Sequence, residues 1–363
     1  MSITSIKNLK ELLELELNDK DCSNVFIVGH NSPDFDALGS AIGLSELAKK
    51  FNKDSYIIID DKDTTLDSSI KKMIDQYKSD YSFIKKKDLN KFNIEKSLLI
   101  VTDVNKINMI SVGDILDEFM YVNVIDHHTE NEFTIDTDNK FISLDVSSAS
   151  EVVARILNAL KIKYDSKVSN ALLAGICLDT KRFKQNTSLF THDVAEKLIK
   201  NGADVDYVNN LFLEEFESYC RISNLIINGT IIKKYSKSLL APIQVSFTLN
   251  RNNPREIYLK EDCAKAADQM LTFNGIDASF TLGYVDENNI HISARSNKKV
   301  NVALIMEQLG GGGNFQCAGA KIEADDILKV EKNLMSKIRI GISDEVKILE
   351  EPEVIKVKRI KKA

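Results

Sequence analysis

Short apolar runs separated by longer amphipathic segments fill the first third of the chain. Three of these runs, Val25–Val28, Leu98–Val101 and Tyr121–Ile125, are four or five residues long and mostly aliphatic. Runs of this length between helical segments are typical of the buried strands of a parallel sheet. Residues 1–22 carry leucines near helical spacing and predict a lead-in helix that packs against this domain.

A second region of strands and helices follows in the last third of the chain. It contains three predicted strands and two predicted helices: strands Val245–Leu249, Ala278–Val285 and Ile290–Ala294, and helices near Cys263–Met270 and Val302–Gln308. Between the two regions, residues 207–234 have apolar positions at mixed helical spacing, which predicts helices that link the domains.

The predicted fold class is therefore α/β, with a parallel-sheet domain joined by a helical linker to a smaller α/β domain. At 363 residues the chain is long enough for two domains that each bury a core. The predicted boundaries are 1–204 for the first domain, 205–237 for the linker, 238–345 for the second domain and 346–363 for a basic tail.

Charge, cysteine content and the length of apolar runs limit the ligands, structural sites and location that can be expected. A net charge of −6 gives no general attraction for duplex nucleic acid, so a short phosphorylated ligand is the expected partner. Five cysteines without Cys-x-x-Cys spacing indicate ordinary thiols rather than disulfides or structural zinc. No apolar run approaches the ~20 residues that a membrane helix needs, and the first residues lack a signal-peptide pattern, so we expect no membrane segment and a cytoplasmic location.

Polar residues follow each of the three predicted strands of the first domain. His30, Asp34 and Asp36 follow the first strand, Asp103 follows the second, and Asp126–His128 follow the third. Because ligands bind beyond the carboxyl ends of strands in open α/β sheets, we expect these side chains to converge. Three of the five histidines lie in these clusters. Carboxylates and imidazoles together predict a site for divalent metal ions, although Asp34 taken alone is also a good helix N-cap.

These clusters resemble the DHH phosphoesterase superfamily. The resemblance includes the H-x-x-x-D-x-D spacing that begins at His30, the isolated Asp103, and the Asp126–His128 triplet. Leu172–Thr180, which contains Asp179, looks like the family's segment with a metal-binding aspartate. Farther along, two segments resemble the substrate region of the DHH-associated domain: Ser293–Ser296 and Leu309–Asn314. Within the superfamily, roughly residues 24–322 look closest to the catalytic part of GdpP-type cyclic-di-AMP phosphodiesterases.

The resemblance implies a two-metal site. It assigns His30 and Asp34 to one ion, assigns Asp36, His127 and Asp179 to the other, and makes Asp103 the bridge between them. Manganese is the expected metal, because mixed imidazole and carboxylate ligands suit a redox-quiet divalent ion. His128 is expected to contact a substrate phosphate. Asp126 is expected either to take part in catalysis or to orient His127 through a hydrogen bond.

The resemblance also implies substrate contacts in the second domain. Arg295 is expected to bind phosphate through its guanidinium fork, and the glycines, Gly310, Gly311, Gly312 and Gly313, to let the backbone approach a ligand. The alternative is a bare flexible turn. The family usually has histidine where this chain has Asn314, which can donate a hydrogen bond but carries no charge. Ser147 and Ser148 precede a predicted helix and are weaker candidates for phosphate contact, since a capping box alone explains them.

The sequence thus favours a phosphodiesterase that opens cyclic di-AMP to linear 5′-pApA. One alternative is a nanoRNase or phosphatase for pApA or 3′-phosphoadenosine nucleotides, and a manganese pyrophosphatase is disfavoured by the glycine-rich motif. Another alternative is an inactive nucleotide sensor. The GdpP-type proteins carry membrane and sensory segments ahead of this unit, so the chain is either a stand-alone member or an excised catalytic portion. The choice between adenine and guanine is open, as is the oligomeric state, with a homodimer among the alternatives.

Overall fold

The computed structural model describes residues 5–59, 66, 68–213, 215–234, 243–297, 299–341 and 353–356. The chain divides into two compact units, Met1–Leu213 and Glu214–Ala363, which we call unit 1 and unit 2. The predicted α/β fold class is confirmed, because each unit contains a sheet with helices packed on it.

Unit 1 alternates strands and helices along most of its length. Its elements are α1 (Ile6–Asn18), β1 (Asn24–Val28), α2 (Phe35–Lys50), β2 (Asp54–Ile58), α3 (Ser68–Tyr77), β3 (Ser82–Ile84), β4 (Ser97–Thr102), β5 (Tyr121–Asp126), β6 (Lys140–Ile142), α4 (Ala149–Ala159), α5 (Ser166–Asp179), α6 (Leu189–Lys200) and α7 (Val205–Leu211). The six strands form a parallel sheet in the order β3-β2-β1-β4-β5-β6.

The sheet of unit 1 is buried on both faces. In β1, Val25 and Ile27 pack into one apolar cluster, whereas Phe26 and Val28 pack into another. This explains why the strands that carry the polar clusters read as continuous apolar runs, since a parallel sheet covered on both sides has no solvent face. Helix α1 adds Leu9, among other leucines, to the first cluster, so the predicted lead-in helix is confirmed.

Unit 2 is built on a mixed sheet. Its elements are α8 (Phe216–Ile227), β7 (Thr230–Lys234), β8 (Ile243–Thr248), α9 (Lys260–Met270), β9 (Ala278–Tyr284), β10 (Asn289–Ser296), α10 (Val302–Glu307), β11 (Gly312–Gly313), β12 (Cys317–Glu323), α11 (Ile327–Gly341) and β13 (Glu353–Lys356). The strand order is β11-β12-β10-β9-β8-β7-β13, and among the described strands of this second sheet only the β8–β9 pair is parallel.

Two segments differ from the expected pattern. Residues 230–234, placed in the helical linker, form strand β7, and residues 353–356 of the expected tail form β13, which pairs with β7. Thr230, Ile231 and Ile232 are β-branched, which favours a strand once a neighbouring strand is available for pairing. The rest of the expected tail, 346–352 and 357–363, lies outside the described residues, and the domain boundaries stay predictions.

Candidate metal centre

The loop after β1 brings His30 and Asp34 together. Asp34 caps α2 with one carboxylate oxygen, since Oδ1 accepts hydrogen bonds from Asp36 N (2.8 Å) and Ala37 N (3.1 Å). The other oxygen, Oδ2, lies 3.7 Å from His30 Nε2. Capping and metal binding are therefore compatible at Asp34, because they use different oxygens of the same carboxylate.

Asp36 is fully buried at the start of α2, where the amino end of α4 holds it. Its Oδ2 accepts a hydrogen bond from Ala149 N (2.7 Å), and its Oδ1 accepts one from Ser150 N (2.8 Å). Helix α5 approaches closely because it has glycine at position 175. A Cβ there would lie 2.7 Å from Asp36 Oδ1 and 2.2 Å from Ser150 Oγ. The sequence argument overlooked Gly175, although a glycine inside a helix is itself a signal of close approach.

Asp103 stands at the centre of the cluster, directly after β4. It is buried, and its φ of 60° lies in the left-handed region, which costs a non-glycine residue on the order of 1 kcal/mol. Its Oδ2 lies 3.7 Å from His30 Nε2, and its Oδ1 lies 3.2 Å from His127 Nε2. Each oxygen of one carboxylate thus faces a different histidine.

His127 also faces two carboxylates on helices. Its Nε2 lies 3.1 Å from Asp179 Oδ2 and 3.8 Å from Asp36 Oδ2. Asp179 is the last residue of α5, so its negative charge sits at the negative end of that helix dipole. This placement is unfavourable unless a cation lies nearby.

Within the described residues, the donor atoms form three overlapping groups in which all atoms lie within 4.8 Å of one another. The groups are His30, Asp34 and Asp103; Asp36, Asp103, His127 and Asp179; and Asp103, Asp126, His127 and His128. These groups could hold metal ions, and Asp103 belongs to all three. The first two groups have the same members as the two ligand sets that the resemblance implies.

The charge balance of the cluster fits divalent cations. Burial and, to a smaller extent, the negative charge of the nearby Asp179 raise the pKa of Asp36 to about 7. Burial and the charge of Asp36 raise the pKa of Asp103 well above its usual value. Burial alone would lower the pKa of His127, but its hydrogen bonds to Asp103 and Asp179 outweigh this effect and bring it to about 11. The negative charges of the clustered carboxylates are therefore not balanced by the side chains around them, and bound divalent ions would supply the missing positive charge.

Asp126 holds His128 rather than the ring of His127. Its Oδ1 lies 2.8 Å from His128 Nδ1 and accepts a hydrogen bond from the backbone N of His127 (2.8 Å). The hydrogen bond expected between Asp126 and His127 is therefore made by the backbone N of His127 and not by its ring. Asp126 is buried and the His128 side chain is half-exposed, so this contact leaves the opposite edge of the His128 ring available to a ligand.

Ser147 and Ser148 are buried and already bonded within the protein. Ser148 Oγ accepts a hydrogen bond from Glu151 N (3.0 Å) and caps α4. Ser147 Oγ donates to Glu151 Oε2 (2.7 Å), which also accepts from Thr191 Oγ1 (2.8 Å). These bonds give both serines a structural role, and the bond to Glu151 uses the hydroxyl hydrogen that Ser147 would need for a phosphate contact.

The expected substrate residues lie together in unit 2. Arg295 pairs in register with Cys317, and Arg295 Nε donates to Asp268 Oδ2 (3.3 Å). Asn314 Oδ1 accepts hydrogen bonds from Gln316 N (3.0 Å) and Cys317 N (2.8 Å), which ties the turn between β11 and β12. The side-chain oxygen of Asn314 is thus committed to the turn, and the amide nitrogen is its donor for a ligand.

The glycine run is an ordered edge of the sheet rather than a bare turn. Gly312 and Gly313 form β11, and a Cβ on Gly311 would lie 2.1 Å from the backbone oxygen of Gly319. Gly310 has a φ of +74°, a conformation that L side chains rarely adopt. Close packing thus explains the glycine at position 311 and also the one at 313, where a Cβ would lie 2.4 Å from Ala318 Cα, whereas a Cβ on Gly312 would meet no atom within 4 Å.

Comparison with known proteins identifies a domain family for each part of the chain. Residues 24–176 match the DHH family N-terminal domain, and residues 244–338 match the DHHA1 domain. The chain belongs to the DHH family.

The chain is 31% identical over 325 residues to the cyclic-di-AMP phosphodiesterase GdpP of Bacillus subtilis, covering 88% of this chain and 48% of that protein. It is 30% identical over 319 residues to the cyclic-di-AMP phosphodiesterase PdeA of Listeria monocytogenes, covering 86% of this chain and 47% of that protein. The resemblance to GdpP-type proteins is thus confirmed, and the chain spans about half the length of these relatives.

The fold has a close match among solved structures. An exopolyphosphatase-related protein from Bacteroides fragilis superposes with a TM-score of 0.71 at 19% identity, covering 91% of this chain and 96% of that chain. At this identity the match establishes the shared fold. Within the described residues, none of the helices combines the length and the apolar character that crossing a bilayer requires.

Proposed function

We propose that the protein is a metal-dependent phosphodiesterase that hydrolyses cyclic di-AMP to linear 5′-pApA. The observation that supports this most is the carboxylate of Asp103, whose two oxygens face two separate groups of ligand side chains. The choice of substrate is inferred from relatives at about 30% identity that bear the name cyclic-di-AMP phosphodiesterase.

In this proposal His30, Asp34 and Asp103 hold one ion, and Asp36, Asp103, His127 and Asp179 hold the other. Two divalent ions, when bound, would acidify a water and neutralise charge on the reacting phosphate. We propose manganese, because two histidines disfavour calcium and magnesium prefers oxygen ligands and retains its waters. The backbone N–H groups of Ala149 and Ser150 keep Asp36 in place.

The side chains divide the remaining tasks. Asp126 fixes the His128 ring by accepting a hydrogen bond from Nδ1, and in the doubly protonated ring Nε2 would donate to a phosphoryl oxygen. Water adds to phosphorus, the bond to one 3′ oxygen breaks, and that oxygen leaves with a proton to give the linear dinucleotide. Arg295 and the Asn314 amide would hold the nucleotide through unit 2.

The second candidate is a nuclease or phosphatase that prefers pApA or 3′-phosphoadenosine nucleotides. The same metal cluster would serve it, since the chemistry at phosphorus is identical and the choice depends on how the rest of the ligand is bound. An inactive nucleotide sensor is less consistent with a cluster that retains every expected ligand side chain. The cytoplasmic location and the homodimer stay expectations.

The test is direct. Purified full-length protein, stripped with chelator and supplied with Mn²⁺, Mg²⁺ or Ca²⁺, is incubated with cyclic di-AMP, cyclic di-GMP, pApA and pGpG, and the products are separated by chromatography. We expect rapid conversion of cyclic di-AMP to pApA with Mn²⁺. Faster turnover of pApA than of cyclic di-AMP would favour the second candidate, and equal rates with Mg²⁺ would contradict the metal assignment.

A further inference from the structure

A fully buried glutamate in unit 1 has no role in the proposed chemistry. Glu151 lies in the first turn of α4, and its side chain is shielded from solvent. It belongs to none of the three groups of donor atoms that the described residues form. A carboxylate removed from water is costly unless hydrogen bonds and a positive charge replace the lost hydration. The partners of Glu151 therefore show what this buried charge does in the fold.

The carboxylate of Glu151 joins α4 to the segment before it and to α6. Its Oε2 accepts hydrogen bonds from Ser147 N (3.1 Å) and Ser147 Oγ (2.7 Å), in the segment that leads into α4. The same oxygen accepts one from Thr191 Oγ1 (2.8 Å), in the first turn of α6. Oε1 accepts one from Arg155 Nη1 (3.2 Å), one turn farther along α4. Both oxygens are thus in use, and they tie three segments at one point.

The amino end of α4, which these bonds hold, is also what fixes Asp36. The backbone N of Ala149 donates to Asp36 Oδ2, and the backbone N of Ser150 donates to Asp36 Oδ1. Both donors lie between Ser147 and Glu151 in the chain, so the bonds from Ser147 to Glu151 close a loop around them. A shift of this turn would move both N–H groups and reorient the carboxylate of Asp36.

Glu151 also reaches the chain that leaves Asp179. Asp179 is the last residue of α5, and residues 180–188 connect it to α6, whose first turn contains Thr191. The hydrogen bond from Thr191 therefore ties the support of Asp36 to the segment that follows Asp179. The two aspartates share one group of donor atoms, which we call site 2: Asp36, Asp103, His127 and Asp179.

The group of His30, Asp34 and Asp103, which we call site 1, is supported differently. Asp34 Oδ1 accepts its hydrogen bonds from the first turn of α2. Within the described residues, the hydrogen bonds of the Glu151 carboxylate go to α4, to the segment before it and to α6, and none goes to α2 or to the loop after β1. Loss of these bonds should therefore disturb site 2 and spare site 1.

We propose that Glu151 is a positioning residue for the metal ion of site 2 and not for that of site 1. Its two oxygens act as acceptors that hold the amino end of α4 against Asp36, and they contact neither ion. Removing the hydrogen-bond partners that orient metal ligands typically weakens metal binding by roughly 10–100-fold. This inference rests on the proposed function, because it takes the cluster as a two-metal site.

The test isolates each site by removing a ligand from the other. His30→Ala leaves site 2 with all of its ligands, and Asp179→Ala leaves site 1 with all of its own. The affinity of the full-length protein for Mn²⁺ is measured by calorimetry in each background, well below the melting temperature. Because no nucleotide is present, the result does not depend on turnover.

Two substitutions of Glu151 separate hydrogen bonding from charge. Glu151→Leu keeps a similar volume but accepts no hydrogen bond, whereas Glu151→Gln keeps one acceptor oxygen without the charge. Glu16→Leu is the matched control, since Glu16 is another buried glutamate of unit 1 that accepts side-chain hydrogen bonds. Ser147→Ala removes only the hydroxyl that donates to Glu151, so it is a milder variant than Glu151→Leu.

We expect Glu151→Leu to weaken Mn²⁺ binding at site 2 at least tenfold and to leave site 1 unchanged, with Glu151→Gln near wild type. Glu16→Leu should lower the melting temperature without changing either affinity, and Ser147→Ala should weaken site 2 alone by a smaller factor.

Equal losses at both sites in Glu151→Leu, or no loss at either, would overturn the positioning role even if the protein hydrolyses cyclic di-AMP. A wild-type protein that hydrolyses no dinucleotide, yet loses the site 2 ion in Glu151→Leu, would overturn the proposed function and leave the positioning role standing. If Glu151→Leu does not fold, Ser147→Ala decides the outcome, and an unchanged site 2 affinity in that variant would overturn the role.

Discussion

At the scale of single residues, individual oxygens decide what each carboxylate can do. Asp34 divides its two oxygens between a helix cap and His30, and Asp103 divides its oxygens between His30 and His127. Asn314 uses its side-chain oxygen to tie a turn, so a ligand contact would have to come from its amide nitrogen. At Asp34 and Asn314, one side chain therefore has one atom in a structural hydrogen bond and another available for a ligand. A substitution that tests the ligand role must keep the atom that makes the structural bond.

Asp103→Asn should abolish turnover and lower the number of bound ions from two toward one or none. An amide offers one neutral acceptor oxygen in place of two anionic ones, so it cannot face both histidines as a ligand. Metal content and hydrolysis of cyclic di-AMP are measured together, with the exposed Asp145→Asn as the control. Two ions and near-normal activity in Asp103→Asn would contradict the bridging assignment.

Asn314→Asp should raise KM for cyclic di-AMP at least tenfold with little change in melting temperature. A carboxylate still accepts the hydrogen bonds from Gln316 N and Cys317 N, so the turn is kept, but the donor is lost and a negative charge faces the phosphate. Asn314→His is the companion variant, because it adds a group that can gain charge near neutral pH but loses the oxygen that ties the turn. An unchanged KM in both variants would show that position 314 is structural.

At the scale of elements, close contact between helices builds the cluster. Helix α4 offers its first backbone N–H groups to Asp36, and α5 passes beside them at Gly175. Helix α1 approaches β5 through a buried carboxyl, since Glu16 accepts hydrogen bonds from Asn123 and, at 3.0 Å, from Asn139. These contacts join segments far apart in the chain, and those of α4 and α5 position Asp36 in the cluster.

Gly175→Ala should destabilise the protein by about 1–3 kcal/mol and sharply reduce activity, as overpacking usually does in a tight core. The new methyl group would lie 2.2 Å from Ser150 Oγ and 2.7 Å from Asp36 Oδ1, so α4, α5 or the carboxylate must move. Urea unfolding and turnover are compared with wild type. Adding Ser150→Ala removes the nearer clash and should restore part of the stability; full stability in Gly175→Ala alone would contradict the packing argument.

The buried Glu16 should make stability fall as pH rises from about 5 to 8. Burial raises its pKa to about 7 despite the hydrogen bond from Asn123, so the folded state holds a proton that the unfolded chain has released. Stability then decreases with pH between the ordinary and the raised value of the pKa, by about 3 kcal/mol. Urea unfolding at several pH values should give a flatter profile for Glu16→Gln than for wild type. Identical slopes would show that Glu16 is not protonated in the fold.

At the scale of the whole molecule, the two units each have their own core and their own group of polar residues. The candidate metal-ligand cluster lies in unit 1, and Arg295, Asn314 and the glycine run at 310–313 lie in unit 2. The DHH and DHHA1 matches fall on these two parts of the chain. We therefore expect metal binding and substrate affinity to respond to different substitutions.

Arg295→Ala should raise KM for cyclic di-AMP at least tenfold while the protein still binds two metal ions. Removing the guanidinium deletes a charge-assisted contact worth about 1.5–3 kcal/mol, and it does not touch the unit 1 ligands. Arg295→Lys keeps the charge without the fork and should fall between wild type and alanine. Loss of metal in Arg295→Ala, or a KM equal to that of wild type, would argue against the expectation that unit 1 binds metal and unit 2 sets substrate affinity.

The sequence by itself determined three strands of the first sheet, β1, β4 and β5, the candidate ligand residues that follow them and the resemblance to the family, because apolar runs and the residues that follow them are local features of the chain. It also predicted the lead-in helix and most of unit 2. Only the tertiary structure decided that Asp126 holds His128, that Ser147 donates to Glu151, and that β13 pairs with β7. These pairings depend on where side chains point and on which segments meet after the backbone has folded, and no spacing along the chain records either.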